Sequence, residues 1–263
     1  MKKREREKAD NSLPSKDITH VLTGWDYEAG TINVRKINGE DGRVKVQMRL
    51  DLGLLQMEIN GRPDGRRPHG YESLLEYHEH QLAEHKDREG TEDGYHLTGS
   101  DCQLLREEAV MYYHRYLSLF VLEDFSGVVR DTARNLRVLD FCGKFAVEEQ
   151  DRLMLEQFRP YIVMMNAKAH ASIAFKADKL GEALKIVNGA LDKIREFFST
   201  IGQPEAFGQS SEVRMLRRFA RDIRRKMPVD PIERLKHQLE RAVKAERYEE
   251  AARLRDEIKQ KTV

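Results

Sequence analysis

Residues 230–260 read DPIERLKHQLERAVKAERYEEAARLRDEIKQ and carry the clearest helical pattern in the chain. Asp230 is a typical helix cap, Pro231 suits the first helical position, and Glu233 completes a capping box. Apolar residues then recur at helical spacing on both sides of a polar corner at 244–247. The two stripes consist of Ile232, Leu235, Leu239 and Ala242 before the corner, and Tyr248, Ala251, Ala252, Leu254 and Ile258 after it. The pattern predicts two amphipathic helices that fold back on each other.

Such a hairpin is too small to be stable alone, since chains below about 40 residues rarely bury enough apolar surface. It must therefore dock on its own chain, associate with a second copy, or bind another protein. The sequence leaves these three occupants open. The alternative is an ordinary helical hairpin that closes a helical domain.

The string Glu249-Glu250-Ala251-Ala252-Arg253-Leu254-Arg255-Asp256-Glu257-Ile258, with the two apolar stripes, resembles the UVR motif. That motif is found in the bacterial excinuclease subunits UvrB and UvrC and in adaptors of the McsA type. The resemblance implies a hairpin for protein–protein contact, with an excinuclease subunit or a chaperone–protease component as the partner. The expected partner-binding residues are Ile232, Leu235, Leu239, Tyr248, Ala251, Ala252, Leu254, Arg255, Asp256 and Ile258. Arg255 and Asp256 are expected to fix the register by charge.

The amino-acid composition argues against several classes of protein. The 263 residues are 35% charged and 40% apolar with a net charge of +1, which argues against a globally basic nucleic-acid binder. The opening residues lack the apolar region of a signal peptide, and no run is long enough to span a membrane. Cys102 and Cys142 are too few for a zinc ribbon or a disulfide framework. We expect a cytoplasmic bacterial protein without membrane contact.

The first part of the chain predicts a polar, disordered tail (1–17) and an antiparallel β meander (18–62). Strands are predicted over 31–37 and 43–50 and around Leu55–Met57–Ile59, with Trp25 and Tyr27 on an earlier strand. One face of the meander carries cations that could contact phosphate, although a solvated sheet face is the favoured interpretation. These cations are Arg35, Arg43, Lys45 and Arg49.

Residues 63–100 predict a helix over 71–85 followed by a polar linker. Histidines cluster in this region, which raises the question of a metal site: His69, His78, His80, His85 and His96. On a helix, His78 and His80 lie about 200° apart and do not converge on one ion. No HExxH pattern is present. The sequence therefore predicts a solvated helix face and no metal site.

Residues 101–200 predict helices throughout. The segments 112–136 and 167–191 superpose with an offset of 55 residues, each as helix, corner and helix. This middle region resembles tetratricopeptide-type helical repeats, although the Trp and Pro of that repeat are missing. Its aromatic and Met residues are interpreted as core, although repeat arrays also present concave surfaces to peptides.

Residues 212–227 predict a basic amphipathic helix, followed by the hairpin at 229–263. One face of this helix carries Arg214, Arg217, Arg218, Arg221, Arg224 and Arg225. Three interpretations stay open: contact with nucleic-acid phosphate, docking on an acidic protein surface, and a surface helix balanced by neighbouring acids.

No catalytic site is predicted. The sequence contains no GxxxxGK[ST] or GxGxxG phosphate cradle, no GxSxG nucleophile and no Cys–His pairing. The predicted fold class is α+β, mostly α. The leading hypothesis is a non-enzymatic adaptor without a cofactor, with self-association as one of the arrangements left open. The alternative is a nucleic-acid-associated factor that uses the arginine helix and the basic face of the meander.

Overall fold

The computed structural model describes residues 16–227 and 231–262. The fold is α+β and mostly α, with a small sheet near the start and a helical pair near the end. The chain divides into two compact units, Met1–Ala169 and His170–Val263. The predicted tail at 1–15 and the cap at Asp230 lie outside the described residues, as do the side chains of 231–234.

The predicted meander is confirmed as a three-stranded antiparallel sheet: β1 (Val34–Asn38), β2 (Val44–Arg49) and β3 (Leu54–Glu58). Central β2 places Val46 opposite Lys36 on β1 and Met57 on β3. Because side chains alternate across a strand, Val46 and Met48 share one face, and both are buried. This face lies towards the helices that follow.

The predicted strand at Trp25 and Tyr27 is wrong. Helix α1 (Thr19–Leu22) ends three residues before Trp25, and an irregular segment follows in which Gly24 takes a left-handed φ of 72°. The Trp25 indole donates to Asn33 Oδ1 at 2.6 Å, and the Arg35 guanidinium lies 3.9 Å from the ring centroid. Trp25 is therefore held by the side chains of Asn33, just before β1, and Arg35 on β1, and it does not pair with a strand.

Helix α2 (Leu74–Glu89) begins three residues later than predicted, at the Ser73 cap, and continues past His85. It ends at Gly90, whose φ of 75° provides the left-handed residue that closes many helices. Its apolar residues join a core formed with the two long helices that follow, α3 (Gly99–Val121) and α4 (Phe125–Phe145). Thr98 and Asp101 form a reciprocal capping box at the start of α3.

The remaining elements are also helical. The first unit continues through α5 (Glu149–Met154) and into α6 (Arg159–Lys176), which crosses the boundary between the units. The second unit contains α7 (Leu180–Thr200), α8 (Ala206–Gln209), α9 (Ser211–Lys226), α10 (Pro231–Lys244) and α11 (Tyr248–Thr262). Helix α9 packs on α7 through Val213, Leu216, Ala220 and Ile223. No helix within 16–227 or 231–262 combines the length and apolar character of a membrane span.

Three helical corners share one geometry. Each turns at an acidic residue with a left-handed φ: 57° at Glu123, 59° at Asp178 and 57° at Glu246. In each, the next amide donates to a carbonyl five residues back, as in a Schellman motif, at 2.9 Å (Asp124 to Leu119), 2.9 Å (Lys179 to Ala174) and 2.8 Å (Arg247 to Ala242). Glu123 and Asp178 are separated by the predicted offset of 55 residues. The resemblance to tetratricopeptide repeats stays a prediction.

Candidate functional site

The terminal hairpin consists of α10 and α11, which pack side by side. Of the described side chains, Leu235, Ala242 and Ala251 are buried at this contact, and Leu239, Leu254 and Ile258 are half-buried. The small side chains of Ala242 and Ala251 lie near the corner, where the helix axes approach each other. These residues hold the two helices together, so most of their surface is already covered. Ile232, also expected here, lies among the side chains that the structure leaves undescribed.

Four of the expected partner-binding residues lie outside this contact. Tyr248, Ala252, Arg255 and Asp256 are exposed and lie on one side of α11, within about 100° of its circumference. Tyr248 keeps 67% of its surface exposed, although its place in the apolar stripe suggested burial. The reason is its position, because Tyr248 is the first residue of α11 and projects at the corner.

The expected role of Arg255 and Asp256 in fixing the register has a different geometry in the structure. Arg255 Nε lies 3.5 Å from Asp256 Oδ1, so the two side chains pair with each other along α11. Both are exposed, and such pairs contribute little to stability in water. Their charges are therefore available to a surface outside the hairpin.

Sequence reasoning missed one exposed apolar residue of this hairpin. Val243 on α10 retains 51% of its surface and lies just before the corner, while Tyr248 lies just after it. Val243 interrupts the apolar stripe by following Ala242 directly, which is the signal that could have identified it. The closed end of the hairpin thus carries two exposed apolar side chains, with the Arg247–Glu250 ion pair of 3.0 Å beside them.

In the comparison with protein families, a model described as the UvrB/uvrC motif matches residues 230–261. The terminal hairpin is a UVR motif. Neither the comparison with curated proteins nor the comparison with solved structures found a match to this chain. The UVR motif occurs in DNA-repair and protein-interaction contexts, which suggests protein–protein contact in general terms.

Helix α9 presents all six predicted arginines to solvent, on a face separate from the one that packs on α7. Arg225 lies 3.7 Å from Asp222, and the Arg217 guanidinium lies 5.4 Å from the Phe207 ring centroid. Within the described part of the chain, no ion pair joins Arg218, Arg221 or Arg224 to an acid. The structure therefore gathers these arginines on one accessible face.

The cations of the β meander differ from those of α9, because each has a partner. Arg35 donates to Gln47 Oε1 at 2.8 Å, and Arg49 donates to the Trp25 carbonyl at 2.9 Å. Arg43 and Lys45 both pair with Asp41, whose pKa falls to about 2 because Lys45 and the Arg43 amide donate to it. Lys45 also pairs with Glu58. Asp41 and Glu58 thus balance the charges of Arg43 and Lys45, whereas Arg35 and Arg49 use donors for hydrogen bonds to neutral groups within the first unit.

A buried charge network inside the first unit also escaped sequence reasoning. Arg115 on α3 binds both carboxylate oxygens of Asp131 on α4, at 2.7 and 2.8 Å, and it donates to the carbonyls of Glu58 and Gly61. Glu108 pairs with Arg62 and Arg134. Burial lowers the pKa of Arg134 to about 9. Arg115 occupies the buried stripe between Tyr112 and Leu119, and a charge in such a stripe signals a buried pair.

The histidines do not converge. His78 is buried and lies 4.0 Å from Asp101, and burial lowers the pKa of its imidazole. His69 stacks on Tyr77 with ring centroids 4.2 Å apart. Among the described residues, no three potential ligands lie close enough together to bind a metal ion.

Proposed function

We propose that this chain is a non-enzymatic adaptor that docks on a partner protein through the α10–α11 hairpin. One observation carries the proposal: Val243 and Tyr248 expose apolar surface on both sides of the corner of a UVR motif. Interface energy is concentrated in a few such residues, and tyrosine is enriched among them. A partner that covers this end would bury both side chains together.

The remaining residues have separate roles in this mechanism. Leu235, Ala242 and Ala251 keep the helices in contact, so that the docking surface exists before a partner arrives. A preformed surface avoids the entropic cost of ordering a segment on binding. Arg255 and Asp256 lie on the rim, where charges guide orientation more than they add affinity. Tyr248 and Val243 therefore provide the main contact.

The class of partner follows from the resemblance. An excinuclease subunit would link the chain to DNA repair, and a chaperone–protease component would link it to protein turnover, both in the cytoplasm. Self-association through the same hairpin is the alternative to recruitment of a partner. The chain itself lacks recognisable phosphate-cradle and nucleophile motifs, which supports a role in recruitment over one in catalysis.

A nucleic-acid-associated factor that replaces this adaptor is less well supported. That alternative needs two cationic surfaces, one on the β meander and one on α9. The cations of the meander are paired within the first unit, as Lys45 is with Asp41 and Glu58. Binding phosphate there would cost those ion pairs, together with the hydrogen bonds of Arg35 and Arg49, so this half of the alternative is the less favourable one.

Affinity capture from the source cell lysate tests the proposal. The baits are the full chain, a V243A/Y248A double variant, and the matched control V147A/F158A. Val147 and Phe158 are each 51% exposed, so the control removes similar exposed apolar surface from a different region. We expect excinuclease or chaperone–protease components on the full chain and the control, and their loss from V243A/Y248A.

A wash at high salt distinguishes a partner held by apolar contacts from one held by electrostatic attraction. Apolar contacts are not screened by ions, so the captured partner should resist a wash with about 0.5 M salt. Equal recovery by all three baits would contradict docking at the corner, as would loss of every partner in high salt.

A further inference from the structure

The exposed face of α9 carries a regular row of guanidinium groups. The arginine stripe consists of Arg214, Arg217, Arg218, Arg221, Arg224 and Arg225. With a rise of about 1.5 Å per residue, it extends for about 16 Å along the helix. At about 100° per residue, the stripe occupies about a third of the circumference of the helix. This is a straight, narrow and wholly cationic surface.

The stripe is poorly neutralised. Asp222 lies just outside its arc and reaches only Arg225, at 3.7 Å. Glu212 accepts a hydrogen bond from the Ser210 hydroxyl at 2.7 Å, at the start of the helix. Arg218, Arg221 and Arg224 have no acid within ion-pair distance in the described part of the chain. A row of unpaired like charges repels itself, and an external anion would relieve that repulsion.

The stripe also lacks the apolar centre that protein interfaces need. The exposed apolar side chain of α9 is Met215, which lies about 100° around the helix from Arg214, on the flank that holds Asp222. Protein interfaces concentrate their energy in desolvated apolar and aromatic residues. Interfaces with nucleic acid are more polar and much more positively charged. The composition of this face therefore favours a phosphate polyanion over an acidic protein.

The aromatic ring of Phe207 lies beside one arginine of the stripe and one arginine of α7. The guanidinium carbons of Arg195 and Arg217 lie 4.8 and 5.4 Å from the centroid of the same Phe207 ring. Arg195 also pairs with Asp192 at 2.6 Å, so Arg217 is the freer of the two. The ring positions Arg217 at the edge of the stripe and leaves its donors available.

We propose that the arginine stripe of α9 binds the phosphate backbone of a nucleic acid without reading its sequence. Arginine donates two parallel hydrogen bonds to phosphate, and each contact displaces counterions. This activity is independent of the hairpin, because its residues lie on α9. An adaptor with both surfaces would hold a partner protein and a nucleic acid on one chain.

Fluorescence anisotropy with the full chain tests the proposal, using a labelled duplex and a labelled single strand between about 50 and 300 mM KCl. If all six arginines contact phosphate, the logarithmic salt slope is about −4 on single strands and about −5 on duplex. The R218Q/R221Q variant should bind about tenfold more weakly, with a slope smaller by about 1.5 to 2. Circular dichroism verifies that the variant keeps its helices.

The matched control is R66Q/R88Q, which removes the same charge from two exposed arginines of the first unit. It should leave the slope unchanged. A labelled polyglutamate peptide of equal charge represents an acidic protein surface and should bind much more weakly than the oligonucleotides. The proposal is overturned by absence of oligonucleotide binding at low salt, by an equal effect of the control variant, or by equal binding of polyglutamate.

Discussion

The helical pairs α3–α4 and α10–α11 have corners of the same backbone geometry, but they bury different kinds of side chain. Both turn at a glutamate with a φ of 57°, Glu123 in one and Glu246 in the other. The α3–α4 pair buries the ion pair between Arg115 and Asp131 and the one between Glu108 and Arg134. The described part of α10–α11 buries three apolar side chains: Leu235, Ala242 and Ala251.

This difference shows how one supersecondary unit can serve two purposes. The α3–α4 pair finds its partners within the chain, since Arg115 also binds the carbonyls at the end of β3. These hydrogen bonds of Arg115 attach the helical pair to the sheet. The α10–α11 pair exposes Val243 and Tyr248 instead. Its corner is therefore suited to contact with another molecule.

Asp131→Ala should produce the largest loss in the free energy of unfolding, because it removes one member of the ion pair buried between α3 and α4. Removal of one member of a buried pair leaves the other charge uncompensated and costs about 3–5 kcal/mol. Denaturant unfolding followed by far-ultraviolet circular dichroism measures the loss, because that signal reports the helices of both units.

Asp222→Ala is the matched control, because its pair with Arg225 is exposed and 3.7 Å long. Its cost should be about 0–1 kcal/mol. If both variants lost the same stability, the burial of Arg115 would not distinguish the two pairs.

Ala242→Leu should destabilise the α10–α11 pair, by less than Asp131→Ala destabilises the α3–α4 pair. Ala242 is 1% exposed between the two helices, and a larger side chain there forces them apart at a cost of about 1–3 kcal/mol. Far-ultraviolet circular dichroism should show helix loss at a lower temperature than in the unchanged chain. Ala252→Leu adds the same atoms on the exposed side of α11 and should be tolerated. Equal destabilisation would mean that the helices do not meet at Ala242.

Glycine substitutions test whether the two corners share the same left-handed backbone conformation. Glu123→Gly and Glu246→Gly relieve a left-handed backbone and should each stabilise their helical pair by about 0.5–1 kcal/mol. Asp192→Gly, inside helix α7, should destabilise by about 1 kcal/mol because its backbone is helical. Thermal unfolding measures all three. Opposite signs at the two corners would show that their geometries are not equivalent.

Acidification should have the smallest effect and should act on the first unit. Burial lowers the pKa of His78 below its ordinary value, while Asp101 opposes this shift. A depressed pKa stabilises the fold above the unfolded pKa of about 6.5, and that contribution is lost as the pH falls through the folded pKa. Between about pH 7.5 and 5.5, Tm should fall further in the unchanged chain than in His78→Gln. Parallel curves would contradict a buried neutral imidazole.

The elements with local periodicity were predictable from the sequence. Alternation in β2 and the apolar stripe of α9 depend only on neighbouring residues, so strand and helix faces followed directly. The hairpin was predictable for the same reason, since both apolar stripes fall within one short segment. The predicted site residues on α11 stay a prediction, and their division into inner and exposed sides required the structure.

The contacts that escaped prediction join distant parts of the chain. Arg115 binds Asp131, 16 residues away, and the Glu58 carbonyl, 57 residues away. No local pattern specifies such partners. Trp25 was placed on a strand because it alternates with Tyr27, whereas its indole bonds to Asn33. The exposure of Tyr248 depends on its position at the start of α11, which periodicity does not encode.

Site-specific photocrosslinking at position 248 tests the central claim most directly. A benzoyl-phenylalanine replaces Tyr248 in the full chain within the source cell, and the same replacement of Phe158 provides the control. The account predicts a crosslink from position 248 to an excinuclease or chaperone–protease component, and none to that protein from position 158. Identical crosslinks from both positions, or crosslinks from position 248 only to copies of this chain, would contradict recruitment of a partner by the corner of the hairpin.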